Sequence, residues 1–291
     1  MIITLKNDKL TLTVDSLGAQ MQNLKSADGC EYLWEADPAY WGKHAPNLFP
    51  FIARLEGGKY YFDGKEYSLP THGFASKFEY EVEKADGNSA VFTLKSNDET
   101  KAMYPFDFIF KVIYTLCGDT LEINYRVENQ GDKRLPFAVG GHPGFRVPLD
   151  EGKNFEDYCL VFDTPCSPDR VGFSDKVLLS GCDTPYPLEN GDRISLTHSL
   201  FDDDAIILKN MSRGVTLCCE GGAHSLTVRF PDMPYLGFWH KPKTDAPYVC
   251  IEPWSSLPGR DSVLEDLACK SDLLVLPAGG VYENRWTVSV N

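Results

Sequence analysis

Apolar and polar residues alternate along many short segments of the chain, and this period of two is typical of β-strands with one buried face. The segments are rich in Val, Ile, Tyr, Phe and Thr, and turn-forming dipeptides such as Asp63-Gly64 and Gly118-Asp119 separate them. The pattern predicts strands over residues 9–14, 78–82, 90–95, 108–116, 120–129, 215–220, 225–230, 248–251 and 286–290.

Helical periodicity is scarce in this chain. Asp37-Pro38 predicts one capped turn, because Asp favours the N-cap and Pro favours the first helical position. Residues 261–269 are predicted to form a second short helix, and residues 150–196, rich in Pro, Asp and Gly, loops and short hairpins. With no internal repeat or linker, the sequence predicts an all-β fold: one domain over residues 1–291, built from two large packed antiparallel sheets.

Charge and cysteine content narrow the class of protein. The chain of 291 residues carries a formal net charge of −14, which opposes binding to nucleic acid or to an anionic membrane. Its first residues alternate like a strand and lack the apolar stretch of a signal peptide. The nine cysteines form no CxxC pair and no zinc-type spacing, so we expect reduced thiols, no metal and a cytoplasmic protein.

Four short segments break the strand pattern and carry reactive side chains. His72 stands between a proline and a glycine in the segment LPTHGFA, and His142 stands among glycines in GGHPGF. Glu252 follows an apolar run and precedes Pro and Trp, at what the pattern predicts to be a strand end. Arg54 ends the apolar segment FPFIAR. Such departures from local strand rules favour functional sites.

Each of these residues also has a plainer structural interpretation. His72 fits a turn histidine that donates to a carbonyl, the glycines around His142 fit a bulge, Glu252 fits a solvated strand-end carboxylate, and Arg54 fits a surface ion pair with Glu56. Taken together, two imidazoles, one carboxylate and one guanidinium favour acid–base chemistry on a polar molecule. The sequence contains no GxSxG elbow, no HExxH pair and no P-loop.

The order of the motifs FPFIAR, THGFA, GGHPGF and IEPW resembles the aldose 1-epimerase (galactose mutarotase) superfamily, and most of all its LacX-like bacterial branch. The resemblance implies a β-supersandwich. It also implies that His142 is the general acid and Glu252 the general base. By the same resemblance His72, Arg54, Asp204 and Trp239 bind substrate, with the neighbouring Asp202 and Asp203 left open as alternatives to Asp204.

The function implied by the resemblance is mutarotation of a small carbohydrate by a monomer or homodimer, with no cofactor. One departure bears on the substrate: many relatives continue the first histidine motif as HGFAR, whereas this chain has Ser76 followed by Lys77. We therefore expect neutral aldohexoses. The alternatives are a hexose-6-phosphate 1-epimerase, in which Lys77 or Lys241 would hold the phosphate, and a non-catalytic carbohydrate-binding protein. A glycoside hydrolase fits less well, because only one carboxylate lies in a convincing motif.

Overall fold

A computed structural model describes residues 1–291, and twenty-four strands dominate it. The strands are β1 (Ile2–Lys6), β2 (Leu10–Asp15), β3 (Gln20–Ser26), β4 (Asn47–Leu48), β5 (Lys59–Phe62), β6 (Lys65–Ser68), β7 (Glu81–Asp86), β8 (Ser89–Lys95), β9 (Phe108–Cys117), β10 (Thr120–Asn129), β11 (Leu135–Phe137), β12 (Gly140–Gly141), β13 (Gly144–Arg146), β14 (Tyr158–Phe162), β15 (Asp169–Arg170), β16 (Thr184–Pro185), β17 (Arg193–Ser195), β18 (Ile206–Lys209), β19 (Gly214–Cys219), β20 (Leu226–Arg229), β21 (Tyr235–Trp239), β22 (Tyr248–Trp254), β23 (Leu274–Leu276) and β24 (Val281–Val290). One α-helix, α1 (Asp98–Met103), and 3-10 turns at Glu56–Gly58, Ala75–Lys77, Phe155–Asp157 and His198–Phe201 complete the elements.

Two large antiparallel sheets confirm the predicted all-β class. The first has nine strands in the order β17-β14-β19-β20-β24-β10-β9-β8-β7. The second has eight strands, with the path β16-β15-β18-β21-β22-β12-β4 and β13 paired beside β22. Three smaller sheets, β1-β2-β3, β5-β6 and β11-β23, flank them. The long strands β9 and β10 alternate buried and half-buried residues along their length, as the sequence pattern predicted.

The two large sheets pack face to face around one core of 71 buried residues. Polar contacts cross between them: the Tyr125 hydroxyl on β10 donates to the Asn47 amide oxygen at 2.9 Å and lies 3.1 Å from the Gly140 carbonyl. Further along, the rings of Phe162 on β14 and Phe238 on β21 lie 6.3 Å apart. The eight-stranded sheet therefore has one face in this core and its other face turned outward.

Strand β22 places Glu252 on that outward face. Val249 and Ile251 belong to the main core, whereas Tyr248 and Cys250 pack with a separate aromatic cluster. Because side chains alternate along a strand, Glu252 shares the face of Tyr248 and Cys250. The predicted position of Glu252 at a strand end was wrong: β22 continues to Trp254, since its pairing with β21 persists over those residues.

The structure confirms one of the two predicted helical elements and contradicts the other. The turn at Asp37 is confirmed, because its carboxylate accepts the Ala39 amide at 2.8 Å. The helix predicted over 261–269 is wrong: Tyr61 donates to the Glu265 carbonyl at 2.7 Å and Leu267 donates back to Tyr61 at 3.0 Å, so this backbone bonds to the β5–β6 hairpin instead. No helix in the structure has the length and apolar character needed to span a membrane.

Candidate active site

A cavity of about 340 Å³ opens on the outward face of the eight-stranded sheet. Its volume lies within the range of about 300–1,000 Å³ that is usual for small-molecule sites. All the predicted site residues line this cavity, namely Arg54, His72, His142, Asp204, Trp239 and Glu252. The residues come from separate parts of the chain, and the fold brings every one of them together.

Glu252 lies at the cavity floor and is almost fully buried, with 1% of its surface exposed. Gly237 is its register partner on β21, and a Cβ at Gly237 would lie 3.3 Å from the Glu252 Cβ. The glycine thus leaves room for the carboxyl group. Burial, with a smaller contribution from the Asp204 charge, raises the pKa of Glu252 well above its usual value. Its Oε2 atom has no hydrogen-bond partner within the protein.

His142 lies between β12 and β13, and its amide donates to the Pro46 carbonyl at 3.0 Å. The imidazole stacks on Trp41 with ring centroids 4.8 Å apart and meets the edge of Trp239 at 5.8 Å. Gly141 before it is required sterically, because a Cβ there would lie 2.6 Å from a ring carbon of Trp286. Burial above all, followed by the nearby His72 and Lys43, lowers the pKa of His142 well below its usual value.

The Nε2 atom of His142 lies 3.3 Å from Oε2 of Glu252. Burial favours the neutral form of each group, so the pair as a whole is stable when it is neutral. A neutral pair is either a carboxylic acid beside neutral imidazole or a carboxylate beside imidazolium, and both contain the same number of protons. The pair therefore has one transferable proton and one site able to accept a proton, which is what bifunctional acid–base chemistry needs.

His72 has a fixed tautomer. Its Nδ1 accepts the Ala53 amide hydrogen at 3.1 Å, and its own amide donates to the Ala53 carbonyl at 2.8 Å. Burial, followed by the charges of Lys43 and Arg54, lowers the pKa of His72 to about 3. A neutral ring that accepts at Nδ1 has its proton on Nε2, so His72 offers a hydrogen-bond donor. Its contact is thus the reverse of the carbonyl-bound turn histidine considered as the plainer interpretation.

Arg54 and Asp204 form a polar pair at the cavity wall. Nη2 of Arg54 lies 4.0 Å from Oδ2 of Asp204, and Nη1 donates to the Lys176 carbonyl at 3.2 Å. The ion pair of Arg54 with Glu56 is absent, since Glu56 binds Lys176 at 3.1 Å. Asp202 and Asp203, the alternatives to Asp204, line an adjoining depression instead of this cavity.

Among the cavity residues that sequence reasoning missed are Trp41 and Lys43. Both follow the turn capped by Asp37, where no periodic pattern indicates which side chains turn inward. Partial burial and the neighbouring Lys77 lower the pKa of Lys43. The lysines suggested by sequence are not among the lining residues: neither Lys77 nor Lys241 lines the cavity, and the Lys241 ammonium binds the Ala39 carbonyl at 3.0 Å.

The cavity floor also contains one group of side chains that could hold a metal ion. Ligand atoms of His142, Cys250 and Glu252 lie within 4.8 Å of one another. Cys250 is fully buried beneath the cavity, and burial with the Glu252 charge raises the pKa of its thiol well above its usual value. Since the thiolate is the form that binds metals, this cysteine is a poor ligand.

Comparison with known proteins identifies the family of this chain. The family model "Aldose 1-epimerase" matches residues 1–266. The plasmid-encoded protein LacX of Lactococcus lactis is 39% identical over 267 residues, which are 88% of each chain. The galactose mutarotase related enzyme of Lactobacillus acidophilus superposes with a TM-score of 0.94 at 36% identity, covering 100% of this chain and 97% of that one. A galactose mutarotase-like protein of Lactobacillus casei superposes with a TM-score of 0.93 at 32% identity, covering 100% of both chains. The chain belongs to the aldose 1-epimerase family, with the LacX proteins among its relatives.

Proposed function

We propose that this protein is an aldose 1-epimerase that interconverts the α and β anomers of neutral aldohexoses. The observation that carries the proposal is the buried pair of Glu252 and His142, 3.3 Å apart in a cavity of about 340 Å³. A binding protein needs hydrogen-bond donors and acceptors. It does not need a buried carboxyl group with an unpartnered oxygen, which destabilises the fold unless a ligand uses it.

Ring opening in the proposed reaction uses the pair in concert. The Glu252 carboxylate takes the proton of the C1 hydroxyl while protonated His142 gives its proton to the ring oxygen, and the C1–O5 bond breaks to leave an open-chain aldehyde. Rotation about C1–C2 turns the other face of the aldehyde towards O5. Closure reverses both transfers, so the pair ends with the protons it began with. Each well-placed acid or base contributes about 100- to 10,000-fold.

The other lining residues suit the task of holding a sugar. His72 offers its Nε2–H and Arg54 its remaining guanidinium hydrogens as donors, and Asp204 offers Oδ2 as an acceptor. Sugar hydroxyl groups can therefore either accept or donate a hydrogen bond here. Trp41 and Trp239 supply apolar surface of the kind that C–H faces of sugars contact. The stacking of Trp41 on His142 also restricts rotation of the imidazole.

A second candidate, a hexose-6-phosphate 1-epimerase, is favoured by Lys43. This lysine lines the cavity, and no carboxylate lies within ion-pair distance of its ammonium group. Burial and the nearby charge of Lys77 both disfavour the protonated form of Lys43. An anionic substrate would relieve the repulsion between the two lysines. Lys43 and the nearby Lys77 place positive charge near the cavity although the chain has a net charge of −14.

The test measures anomer exchange of fresh α-glucose, α-galactose and their 6-phosphates by polarimetry or NMR. The rate with the protein is compared with the spontaneous rate for each sugar. We expect catalysis of the neutral sugars. A preference for the phosphates that weakens as salt rises, and that is lost in Lys43→Met but not in the control Lys241→Met, would establish the second candidate. Sugar binding without catalysis of any of these sugars would refute both and leave a carbohydrate-binding protein.

A further inference from the structure

Two cysteines face each other across neighbouring strands of the nine-stranded sheet, away from the candidate active site. Cys159 on β14 is the register partner of Cys218 on β19. Tyr158 and Leu160 flank Cys159 and point into the main core, so Cys159 and its partner lie on the outer face of that sheet. Glu252 lies on the eight-stranded sheet, so the cysteine pair and the candidate active site are on different sheets.

The two thiols are in contact. Their Sγ atoms lie 3.9 Å apart, and the Cys159 thiol lies 3.5 Å from the Cys218 carbonyl oxygen. Cys218 is half-buried and accessible to small reagents, whereas Cys159 is 8% exposed. The thiol of Cys159 and the nearby Arg193 lower the pKa of Cys218 to about 7, because both stabilise its thiolate. The same hydrogen bond, together with burial, raises the pKa of Cys159.

We propose that Cys218 and Cys159 form a dithiol modification site for low-molecular-weight disulfides such as glutathione disulfide. The Cys218 thiolate attacks one sulfur of the reagent, forms a mixed disulfide and releases one thiolate. Cys159 then loses its proton to solvent and attacks Cys218 Sγ, which releases the second thiolate and forms the Cys159–Cys218 disulfide. The protein loses two electrons and two protons, and the reagent becomes two thiols.

Strand geometry makes this modification reversible. Asp163 donates its amide to the Gly214 carbonyl at 3.0 Å, which fixes the alternation of the β14–β19 ladder. Cys159 and Cys218 come four residues before and after these positions, so they form a hydrogen-bonded pair with Cα atoms about 5.5 Å apart. That separation suits a disulfide, but the Cβ atoms, about 5.5 Å apart in such pairs, must approach to about 4 Å. A disulfide formed under this constraint is readily reduced.

Cysteines without a thiol neighbour provide internal controls. Cys117, Cys182 and Cys269 are exposed and have no such partner. Because the Cys159 thiol and Arg193 stabilise the Cys218 thiolate, we expect Cys218 to react faster than these exposed cysteines.

The experiment treats the full chain with glutathione disulfide at pH 7 and maps the peptides by mass spectrometry, with and without a later reduction step. We expect a Cys159–Cys218 cross-linked peptide to appear first. In Cys159→Ser, Cys218 should react more slowly and stop as a mixed disulfide, and in Cys218→Ser, Cys159 should stay free. Circular dichroism and anomer exchange check that both variants fold.

Two results would overturn the proposal. One is a wild-type map in which Cys159 and Cys218 both stay free while the exposed cysteines carry glutathione. The other is a stable mixed disulfide at Cys218 that never closes onto Cys159. Neither result depends on whether the protein proves to be an epimerase, because the readout is the mass of the peptides.

Discussion

Replacing Glu252 by glutamine keeps the shape of a buried side chain and removes its ability to take a proton. In the proposed reaction this carboxylate removes the C1 hydroxyl hydrogen, and its Oε2 atom accepts no hydrogen bond within the protein. We expect kcat/KM for anomer exchange to fall by about 100-fold or more, which is about 2.7 kcal/mol of transition-state stabilisation. Sugar affinity should be largely retained, because the amide fills the same space.

The same substitution should make the protein more stable. Burial raises the pKa of Glu252, so the folded state retains a proton that the unfolded chain has already lost at neutral pH. Wild-type stability therefore falls as pH rises from the unfolded pKa of about 4.5 to the raised folded pKa. Glutamine has no such dependence, so the advantage of Glu252→Gln in urea unfolding should grow over that window and then level off.

Glu265 offers a matched control, since it too is only 1% exposed. Burial acts to raise its pKa, but hydrogen bonds from the Arg260 side chain, at 3.0 and 2.9 Å, and from the Arg260 amide outweigh this and lower it. Glu265→Gln should destabilise the fold by about 1–3 kcal/mol and leave turnover unchanged. The two variants thus have opposite expected effects on stability and unequal effects on turnover.

The assay pairs NMR anomer exchange with urea unfolding at pH 5 and pH 8 for the wild type and both variants. Anomer exchange by Glu252→Gln at close to the wild-type rate would rule out Glu252 as the base. A Glu252→Gln variant less stable than the wild type at pH 8 would mean that the carboxylate has a stabilising partner in the folded protein.

Three further predictions follow from the histidines. His142→Asn should lower kcat more than it raises KM, whereas His72→Asn should change both; a larger loss of kcat in His72→Asn would exchange their proposed roles. The acidic limb of the kcat/KM profile should lie below pH 6.5, because burial lowers the pKa of His142; an acidic limb centred at 6.5 would contradict the burial of the pair. His224 binds Asp150 at 2.6 Å and Asp28 at 3.0 Å, and these carboxylates raise its pKa. Its contribution to stability is therefore full below pH 6.5 and is lost as pH rises through the folded pKa, so His224→Gln should destabilise more at pH 6 than at pH 9 in urea unfolding.

Strand pattern and motif order predicted much of this molecule, because both depend on local sequence. The prediction for residues 120–129 matches β10, where every second residue is buried. The α-helix at Asp98–Met103 was missed although its signal is present: Asn97 Oδ1 accepts the Thr100 amide hydrogen, and the Asn97 amide donates in return to Thr100 Oγ1. The helix predicted over 261–269 failed for a reason outside that segment, namely the bonds its backbone makes to β5.

Within the candidate site, the residues that stand in motifs could be predicted from the sequence, whereas Trp41 and Lys43 could not. His142 and Glu252 stand in segments whose composition is unusual for strands, so each can be recognised as a candidate site residue from the sequence. Trp41 and Lys43 lie in a turn region, and they reach the cavity only because that region folds over β22. No spacing in the sequence encodes such a contact, since it depends on the tertiary path of two distant segments.

The outward face of β22 gives Glu252 an environment that neither side of an ordinary sheet provides. In the main core, no substrate could reach the carboxyl group, and on an open surface its pKa would stay near 4.5, about two units below that of histidine. In the cavity lined by Trp41 and Trp239, burial raises the pKa of Glu252 and lowers that of His142. Both shifts favour the neutral pair, which has one proton to give and one site that can take a proton. A sugar that gives up one proton and takes another can then react in either direction without a change in the net charge of the site.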